Sequence, residues 1–333
     1  MTLLESVAEK VRKGEPLPAY LRAALTAATP LYRAGMIVRG LRTPVKVDAR
    51  VISYGNLTAG GTGKTPAVVE RAATELAEGN RVAILTRGYG ATKRRDEIVC
   101  TCGEDAAGMA EVIGDEPALI ARRVPGVVIA RSSDRVAAAQ RAMAEYGCNV
   151  LILDDGFQYL RLARDENVLV VDASDPFGNG KLIPRGVLRE PIASAARATH
   201  IVLTHCDRVS AEQRGELEAQ LRAVCPGTPI RATYHAPDTM WPLAGGERLP
   251  LDALRGKDVT AVCAIARPES FLATLTSLGA VVVGSRFFPD HGRIPADALK
   301  GEAMIVVTEK DAVRIPNGPE NVYALGVRLA PFE

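Results

Sequence analysis

From about residue 47 onward, the hydrophobic residues of the chain come in short runs that alternate with helical stretches. Short apolar runs bounded by glycine, proline or polar residues predict buried strands. The predicted strands lie at residues 81–86, 126–130, 149–153, 167–172, 200–204, 259–264, 280–283 and 303–307. Helices are predicted at residues 118–123 and 137–146. This alternation indicates an α/β fold with a largely parallel sheet and helices on both faces.

The first 50 residues follow a different pattern, with apolar side chains at helical spacing and basic residues around them. The apolar positions are Leu21, Leu25, Ala28, Tyr32 and Met36, and the basic positions are Arg22, Arg33, Arg39, Arg42 and Lys46. Because Arg22 and Arg33 interrupt the apolar stretch, it is too short to span a bilayer. Pro30 is expected to kink or restart the helix. Such a helix can lie in a membrane interface or pack on its own domain, and the pattern alone favours packing.

A glycine-rich segment between a strand and a helix is the strongest local signal in the chain. Val51 and Ile52 predict a buried strand, and an alanine-rich helical pattern begins at Lys64 and runs to about residue 78. A strand, a glycine-rich loop, Lys-Thr and a helix in this order form a P-loop, which binds nucleotide phosphates. The predicted phosphate-binding residues are Thr58, Ala59, Gly60, Gly61, Thr62, Gly63, Lys64 and Thr65.

The residue types of this loop suit an anion. Backbone N–H groups and the helix N-terminus favour negative charge, and Lys64 adds a full positive charge. The hydroxyl group of Thr65 can bind Mg²⁺. Thr58 departs from the strict spacing, which has glycine at this position.

Two adjacent carboxylates, Asp154 and Asp155, follow an apolar run at residues 150–153. Ligands bind at the carboxyl ends of the strands in an open α/β sheet, and a P-loop enzyme needs a carboxylate there for Mg²⁺. We therefore predict that one aspartate serves the metal and the other the nucleophile or the loop. A plain Asp-Gly turn at the strand end is the alternative.

Other polar positions are ambiguous from the residues alone. Asp115 precedes a predicted helix, which is typical of an N-cap but also allows a catalytic role. His291 is by default a turn histidine, and Arg189 with Glu190 can clamp phosphate or metal or form a solvated ion pair. The polar stretch 92–105 predicts a loop over the site.

Two short elements concern the choice of nucleotide. Residues 204–207 (Thr-His-Cys-Asp) end a predicted strand and weakly match the element that reads guanine, but histidine replaces its lysine. Residues 308–311 carry their lysine one position late. ATP is therefore the expected nucleotide.

Composition narrows the function classes further. A chain of 333 residues, 47% of them hydrophobic, can form two domains or one large one. The net charge of +2, without a long basic run, argues against a nucleic-acid partner. The six cysteines are scattered without zinc spacing, and charged residues precede any apolar run at the N-terminus, unlike a signal peptide. Both features predict reduced thiols and a cytoplasmic site of action.

Eight short motifs occur along the chain. They are 55–66 (Gly-Asn-Leu-Thr-Ala-Gly-Gly-Thr-Gly-Lys-Thr-Pro), 87–90 (Arg-Gly-Tyr-Gly), 114–117 (Gly-Asp-Glu-Pro), 154–158 (Asp-Asp-Gly-Phe-Gln), 188–191 (Leu-Arg-Glu-Pro), 266–271 (Ala-Arg-Pro-Glu-Ser-Phe), 288–291 (Phe-Pro-Asp-His) and 308–313 (Thr-Glu-Lys-Asp-Ala-Val). In this order they resemble the tetraacyldisaccharide 4′-kinase family, the lipid A 4′-kinases of Gram-negative bacteria. The resemblance covers nearly the whole chain from about residue 20.

The resemblance implies an activity and its reactants. The γ-phosphate of ATP passes, with Mg²⁺, to the 4′-hydroxyl group of a tetraacylated glucosamine disaccharide 1-phosphate, which gives ADP and lipid IVA. The reaction takes place at the cytoplasmic face of the inner membrane. The N-terminal segment matches the family's membrane-docking helix, so the resemblance reverses the preference for packing. A P-loop nucleotide switch or regulatory ATPase at the membrane is the alternative function.

The resemblance also assigns roles to residues. Asp115 becomes the base for the sugar hydroxyl group, and His291 pairs with it. The predicted metal ligands are Thr65, Asp154, Asp155 and Glu190, and Lys64 neutralises the phosphates. Departures occur at Tyr159 and Gly292, where the family has histidine, and at Ala266-Arg267, where it has Gly-Asn. The first two departures put the roles of those imidazoles in doubt.

The predicted organisation has three parts. Residues 1–45 form the membrane-docking segment and residues 46–195 the P-loop kinase domain. Residues 196–333 form a smaller C-terminal α/β domain that contributes Asp290 and His291 to the site.

Overall fold

The computed structural model describes residues 7, 9–11, 14–41, 43–88, 99–102, 110–290, 292–315 and 318–333. The helices are α1 (Ala19–Gly40), α2 (Lys64–Ala77), α3 (Ala110–Ile113), α4 (Asp115–Arg123), α5 (Arg135–Tyr146), α6 (Ala211–Val224), α7 (Pro268–Ser277) and α8 (Glu309–Ala312). The strands are β1 (Arg50–Gly55), β2 (Val82–Thr86), β3 (Val99–Cys102), β4 (Val128–Arg131), β5 (Val150–Asp154), β6 (Glu166–Asp172), β7 (His200–Thr204), β8 (Ile230–Pro242), β9 (Asp258–Cys263), β10 (Val281–Phe287), β11 (Met304–Thr308) and β12 (Val322–Pro331). Short 3₁₀ helices lie at Ile192–Arg197, Cys206–Arg208, Leu251–Leu254 and Ala296–Leu299.

The strands of the described residues form one sheet in the order β10-β9-β11-β12-β8-β7-β6-β1-β5-β2-β4-β3. Neighbouring strands run parallel, except that β12 is antiparallel to β8 and β3 is antiparallel to β4. The prediction of an α/β fold with a largely parallel sheet is confirmed.

Strand β1 lies between β5 and β6 and thereby positions the P-loop. Tyr54 of β1 pairs with Asp154 of β5, and Gly55 pairs with Leu169 of β6. The glycine-rich loop therefore leaves β1 at the same edge of the sheet at which β5 delivers its carboxylates. Ligands of open α/β sheets bind at such an edge.

Alternate residues of these strands are buried on opposite faces of the sheet. Ile52 and Ile152 pack with Val68 of α2 on one face, whereas Val51 and Leu151 pack on the other. Helix α5 covers this second face. The central strands are buried on both faces, which explains why their sequences are almost wholly apolar.

Strand β8 belongs to both halves of the sheet. Residues 230–232 pair in parallel with β7, whereas residues 233–242 pair antiparallel with β12. The division predicted at residues 195 and 196 falls between β6 and β7, which pair with one another. That division stays a prediction.

Two local expectations differ from the structure. Strand β3 lies within the stretch 92–105, for which a loop was expected; residues 92–98 and 103–105 lie outside the described residues. Helix α1 continues through Pro30, so of the two expected effects the restart is wrong, whereas the kink stays a prediction. Proline removes one backbone hydrogen bond from a helix, but here it does not end the helix. No helix among the described residues is long and apolar enough to cross a membrane.

Candidate active site

The phosphate loop joins β1 to α2. Gly63 is the N-cap of α2 with φ 71°, a left-handed conformation that favours glycine, and Gly60 has φ 122°. Thr58, by contrast, does not have a positive φ, and it forms a β-bridge with Leu188. A side chain is therefore tolerated at Thr58, which explains the departure from the strict motif.

Lys64 begins α2 and points into a cluster of charges. Its Nζ lies 2.9 Å from Oδ1 of Asn56 and 3.1 Å from Oδ1 of Asp155. The guanidinium of Arg189 donates to the other oxygen of Asp155 at 2.6 Å. Burial works against ionisation of Asp155, yet Lys64 and Arg189 outweigh it and hold its pKa well below the usual range.

Asp154 has a different environment from its neighbour. Asp155 has φ 56°, a left-handed conformation, so the chain turns sharply after Asp154. Asp154 is buried, and its Oδ1 has no hydrogen-bond partner among the described residues. Burial, together with the charge of Glu116, raises the pKa of Asp154 to about 7. The two carboxylates are therefore not equivalent.

Asp115 is the first residue of α4, and Gly114 rather than Asp115 is the N-cap. The carboxylate of Asp115 is buried and forms an ion pair with Nη2 of Arg314. Nη1 of the same arginine donates to the carbonyl oxygen of Gly292 at 3.3 Å. Arg314 thus joins Asp115 to the segment that follows His291, although His291 itself lies outside the described residues.

A second bridge brings the same elements together. Nζ of Lys310 lies 3.8 Å from Oε1 of Glu116 and 3.6 Å from Oδ1 of Asp290. The loop before residue 291 therefore lies against the N-terminus of α4. Neither Lys310 nor Arg314 was assigned a role from the sequence, because their partners are far away along the chain.

Glu190 has its own cationic partner. Its buried carboxylate forms an ion pair with Arg197, whose guanidinium lies 4.7 Å from the ring centre of Phe157. Among the described residues, no group of three or more His, Cys, Asp or Glu side chains is arranged to hold a metal ion. The assignment of Glu190 to a metal stays a prediction.

Tyr159, which stands where the resemblance led us to expect histidine, has a structural partner. Its ring lies 4.8 Å from the guanidinium of Arg135, and its hydroxyl group lies 3.1 Å from Oδ1 of Asp134. That hydroxyl group also accepts a hydrogen bond from the backbone of Arg135 at 3.0 Å. Tyr159 thus fixes the start of α5, a task that needs no imidazole.

The sequence of the chain is similar to those of a known protein family. The family described as Tetraacyldisaccharide-1-P 4′-kinase matches residues 19–333. A tetraacyldisaccharide 4′-kinase of Anaeromyxobacter dehalogenans is 43% identical, covering 99% of this chain and 90% of the relative. The protein belongs to the tetraacyldisaccharide 4′-kinase family.

Other tetraacyldisaccharide 4′-kinases give the same picture. The enzyme of Syntrophus aciditrophicus is 40% identical over 85% of this chain and 82% of its own length. The crystal structure of LpxK from Aquifex aeolicus in complex with ATP is 29% identical and has a TM-score of 0.75. The similarity covers 94% of this chain and 96% of the Aquifex aeolicus chain. The family predicted from the motifs is confirmed, and with it the P-loop fold and the kinase class.

Proposed function

We propose that this kinase transfers the γ-phosphate of ATP to the 4′-hydroxyl group of a tetraacylated glucosamine disaccharide 1-phosphate, which gives ADP and lipid IVA. The single observation that carries the proposal is the approach of Asp290 and of Gly292 to the start of α4, which carries Asp115. A P-loop alone binds a nucleotide, whereas an acceptor hydroxyl group also needs a positioned base. Membership of the kinase family supports the choice of acceptor.

The phosphate side of the reaction uses the loop from Thr58 to Thr65. Backbone N–H groups of this loop and the N-terminus of α2 would bind the phosphate oxygens. Lys64 would neutralise the charge between the β- and γ-phosphates. The Lys64 ammonium lies 2.9 Å from Oδ1 of Asn56 and 3.1 Å from Oδ1 of Asp155, and these contacts limit the directions in which it can point.

The fold family implies Mg²⁺, and the residues present fit this ion. The buried Oδ1 of Asp154, which has no hydrogen-bond partner in the part of the chain that the structure describes, is a hard oxygen donor, and so is the hydroxyl group of Thr65. Two protein ligands suffice, because Mg²⁺ usually keeps several waters and binds substrate phosphates. When bound, the ion would neutralise charge on the phosphates.

Asp155 and Glu190 fit the ion less well. Lys64 and Arg189 already compensate the charge of Asp155, and Arg197 compensates that of Glu190. We therefore propose that Asp154 is the aspartate that contacts the metal, while Asp155 orients Lys64 and Arg189.

Asp115 would accept the proton of the 4′-hydroxyl group as the oxygen attacks phosphorus. Arg314 holds one carboxylate oxygen of Asp115 and donates to the carbonyl group of Gly292, so Gly292 is joined to the proposed base through this arginine. We propose that His291 pairs with Asp115 and raises its basicity.

The N-terminal helix would dock the enzyme on the inner membrane, at its cytoplasmic face, where the acylated substrate is embedded. Large apolar side chains on α1 face outward: Leu31 is 78% exposed and Ile37 is 61% exposed, and Leu41, just beyond the helix, is 77% exposed. The hydroxyl group of Tyr32 donates to the carbonyl oxygen of Arg189 at 3.0 Å. This bond connects the helix to the segment that carries Glu190, so a docked helix would lie beside the site.

The test compares Asp115→Ala with wild type. We expect the substitution to abolish phosphorylation of the acylated disaccharide, measured by mass spectrometry of the lipid product, and to leave ATP binding nearly intact. General-base catalysis supplies about 10²- to 10⁴-fold in rate. The exposed Asp252→Ala serves as the matched control and should retain full activity. Full activity of Asp115→Ala would refute the assignment of the base.

The same assay separates the kinase from a nucleotide switch. A switch hydrolyses ATP without the acylated disaccharide and yields no phosphorylated lipid. We expect turnover of ATP to require the disaccharide and to match the amount of phosphorylated lipid.

A further inference from the structure

Arg267, in the loop between β9 and α7, reaches across to the end of β6. Its Nη1 lies 3.2 Å from Oδ2 of Asp172 and donates to Oγ of Ser174 at 2.7 Å. Its Nη2 lies 3.9 Å from Asp175. Its contacts tie the C-terminal strands to the half of the sheet that carries the phosphate loop.

Asp172 also contacts a histidine, His205. Its Oδ1 lies 3.2 Å from Nδ1 of His205 and accepts a hydrogen bond from Ser174 Oγ at 2.6 Å. Burial works against ionisation of Asp172, yet its bonds to His205 and Ser174 and the charge of Arg267 hold its pKa well below the usual range. The carboxylate is therefore charged, and it orients the imidazole of His205.

Two histidines then lie against the phosphate loop. The rings of His205 and His235 meet edge to face, with centroids 4.5 Å apart. His235 fills the space beside Gly63: a Cβ on that glycine would lie 2.6 Å from Nε2 of His235 and closer still to Cε1. Burial lowers the pKa of His235 to about 3, so the ring is neutral and adds no charge at this point.

A parallel contact comes from the residue before His205. The hydroxyl group of Thr204 donates to the backbone carbonyl oxygen of Thr62 at 2.8 Å. Residues 204–207 weakly matched a guanine-reading element. The first of them, Thr204, contacts the phosphate loop directly, and the second, His205, contacts it through His235. The Oγ1 of Thr204 and the Nδ1 of His205 are occupied by these contacts, so these atoms do not read a nucleotide base.

We propose that Arg267, Asp172, His205 and His235 form a contact chain that positions Gly63, so that the C-terminal half of the protein sets the affinity of the phosphate loop for ATP. The four are positioning residues, because each acts on ATP through the loop. An isolated surface ion pair contributes little free energy. The ion pair of Arg267 differs because its partner, Asp172, is buried and holds the ring of His205, which packs on His235 beside the loop. The inference rests on the proposed binding of ATP by this loop.

The experiment measures ATP affinity by calorimetry in the absence of acceptor lipid. We expect Arg267→Ala to weaken ATP binding about three- to tenfold, the range that one ion pair with its hydrogen bond supports. Arg267→Lys should recover part of the loss because it restores the charge. The matched control is Arg222→Ala, which removes an exposed ion pair with Glu218 on α6 and should leave ATP affinity unchanged.

Two further measurements separate positioning from a general loss of structure. Asp172 keeps its contacts with His205 and Ser174 in Arg267→Ala, so the melting temperature and the KM for the acylated disaccharide should match those of Arg222→Ala. The double variant Arg267→Ala/His235→Ala should bind ATP no more weakly than His235→Ala alone, since both substitutions break one chain of contacts.

Three results would overturn the contact chain. The first is an ATP affinity of Arg267→Ala equal to that of Arg222→Ala. The second is independent effects that multiply in the double variant. The third is a loss of ATP affinity in Arg267→Ala that comes with a lower melting temperature and a higher KM for the acylated disaccharide. ATP affinity, measured without lipid, decides whether the contact chain acts on the phosphate loop. Lipid phosphorylation is assayed separately and decides whether the proposed acceptor is correct, so the two failures are distinguished.

Discussion

Replacing Gly63 by alanine tests the geometry of the phosphate loop. A Cβ at this position meets the ring of His235, and φ 71° is a conformation that side chains disfavour. The left-handed conformation costs about 1–2 kcal/mol per residue. Overpacking costs about 1–3 kcal/mol more. The total is about 2–5 kcal/mol, which corresponds to roughly 30- to 4,000-fold in a binding constant.

This free energy should be lost from ATP binding rather than from folding. Gly60 and Gly61 are exposed, so the loop can shift away from the ring while the core stays intact. Calorimetry of ATP binding and urea unfolding of Gly63→Ala measure the two quantities. We expect a large loss of affinity and a change in unfolding free energy below about 1 kcal/mol, within the range of substitutions that leave the core untouched.

A second substitution divides the loss between its two causes. His235→Ala removes the ring, so adding it to Gly63→Ala should restore the overpacking share, about 5- to 150-fold in affinity, less the loss that His235→Ala causes in the otherwise wild-type protein. The conformational share should remain. The reasoning is refuted if Gly63→Ala binds ATP like wild type, or if His235→Ala restores nothing in the Gly63→Ala background.

Three other substitutions test separate parts of the structure. Asp154→Asn should raise the Mg²⁺ concentration needed for half-maximal ATP binding at least about tenfold in a Mg²⁺ titration. Binding of ATP without the ion should change little. Burial raises the pKa of Glu309 to about 7 from 4.5, so the folded protein binds this proton more tightly than the unfolded chain. Stability therefore falls as pH rises between these values, and Glu309→Gln should gain up to about 3 kcal/mol of unfolding free energy at pH 8 but almost nothing at pH 4 in urea titrations. Leu31→Glu should reduce sedimentation with anionic vesicles about tenfold, because a Leu side chain contributes about 1.5–3 kcal/mol when buried; sedimentation equal to wild type contradicts docking through α1.

The parallel half of the fold was predictable because its signal is local. Strands β5 and β7 are buried on both faces, so each is a continuous apolar run between turn residues. Strand β8 was missed because it is mostly half-buried and carries polar residues such as Arg231 and Asp238, as an antiparallel strand with one wet face does.

The candidate site divides in the same way. The phosphate loop and Asp154 are visible in the sequence, since each follows its own strand within a few residues. The partners of Asp115 and of Gly63, which are Arg314 and His235, lie far away along the chain and become neighbours only through the order of the strands. No periodicity or spacing could reveal such pairs. The family resemblance assigned the base to Asp115, which stays a prediction, but it gave no hint of Arg314.

The shared strand β8 has a consequence for attempts to divide the protein into parts. A fragment ending near residue 246 would keep the phosphate loop and all of β8, but residues 233–242 would lose the partner strand β12. An uncovered strand edge of this length is a template for pairing with other chains, so the fragment should self-associate. A fragment cut before β8 would instead lose His235 from beside Gly63. The two halves of the sheet are therefore not interchangeable modules, and recombination between relatives should succeed only when β8 and β12 come from the same parent.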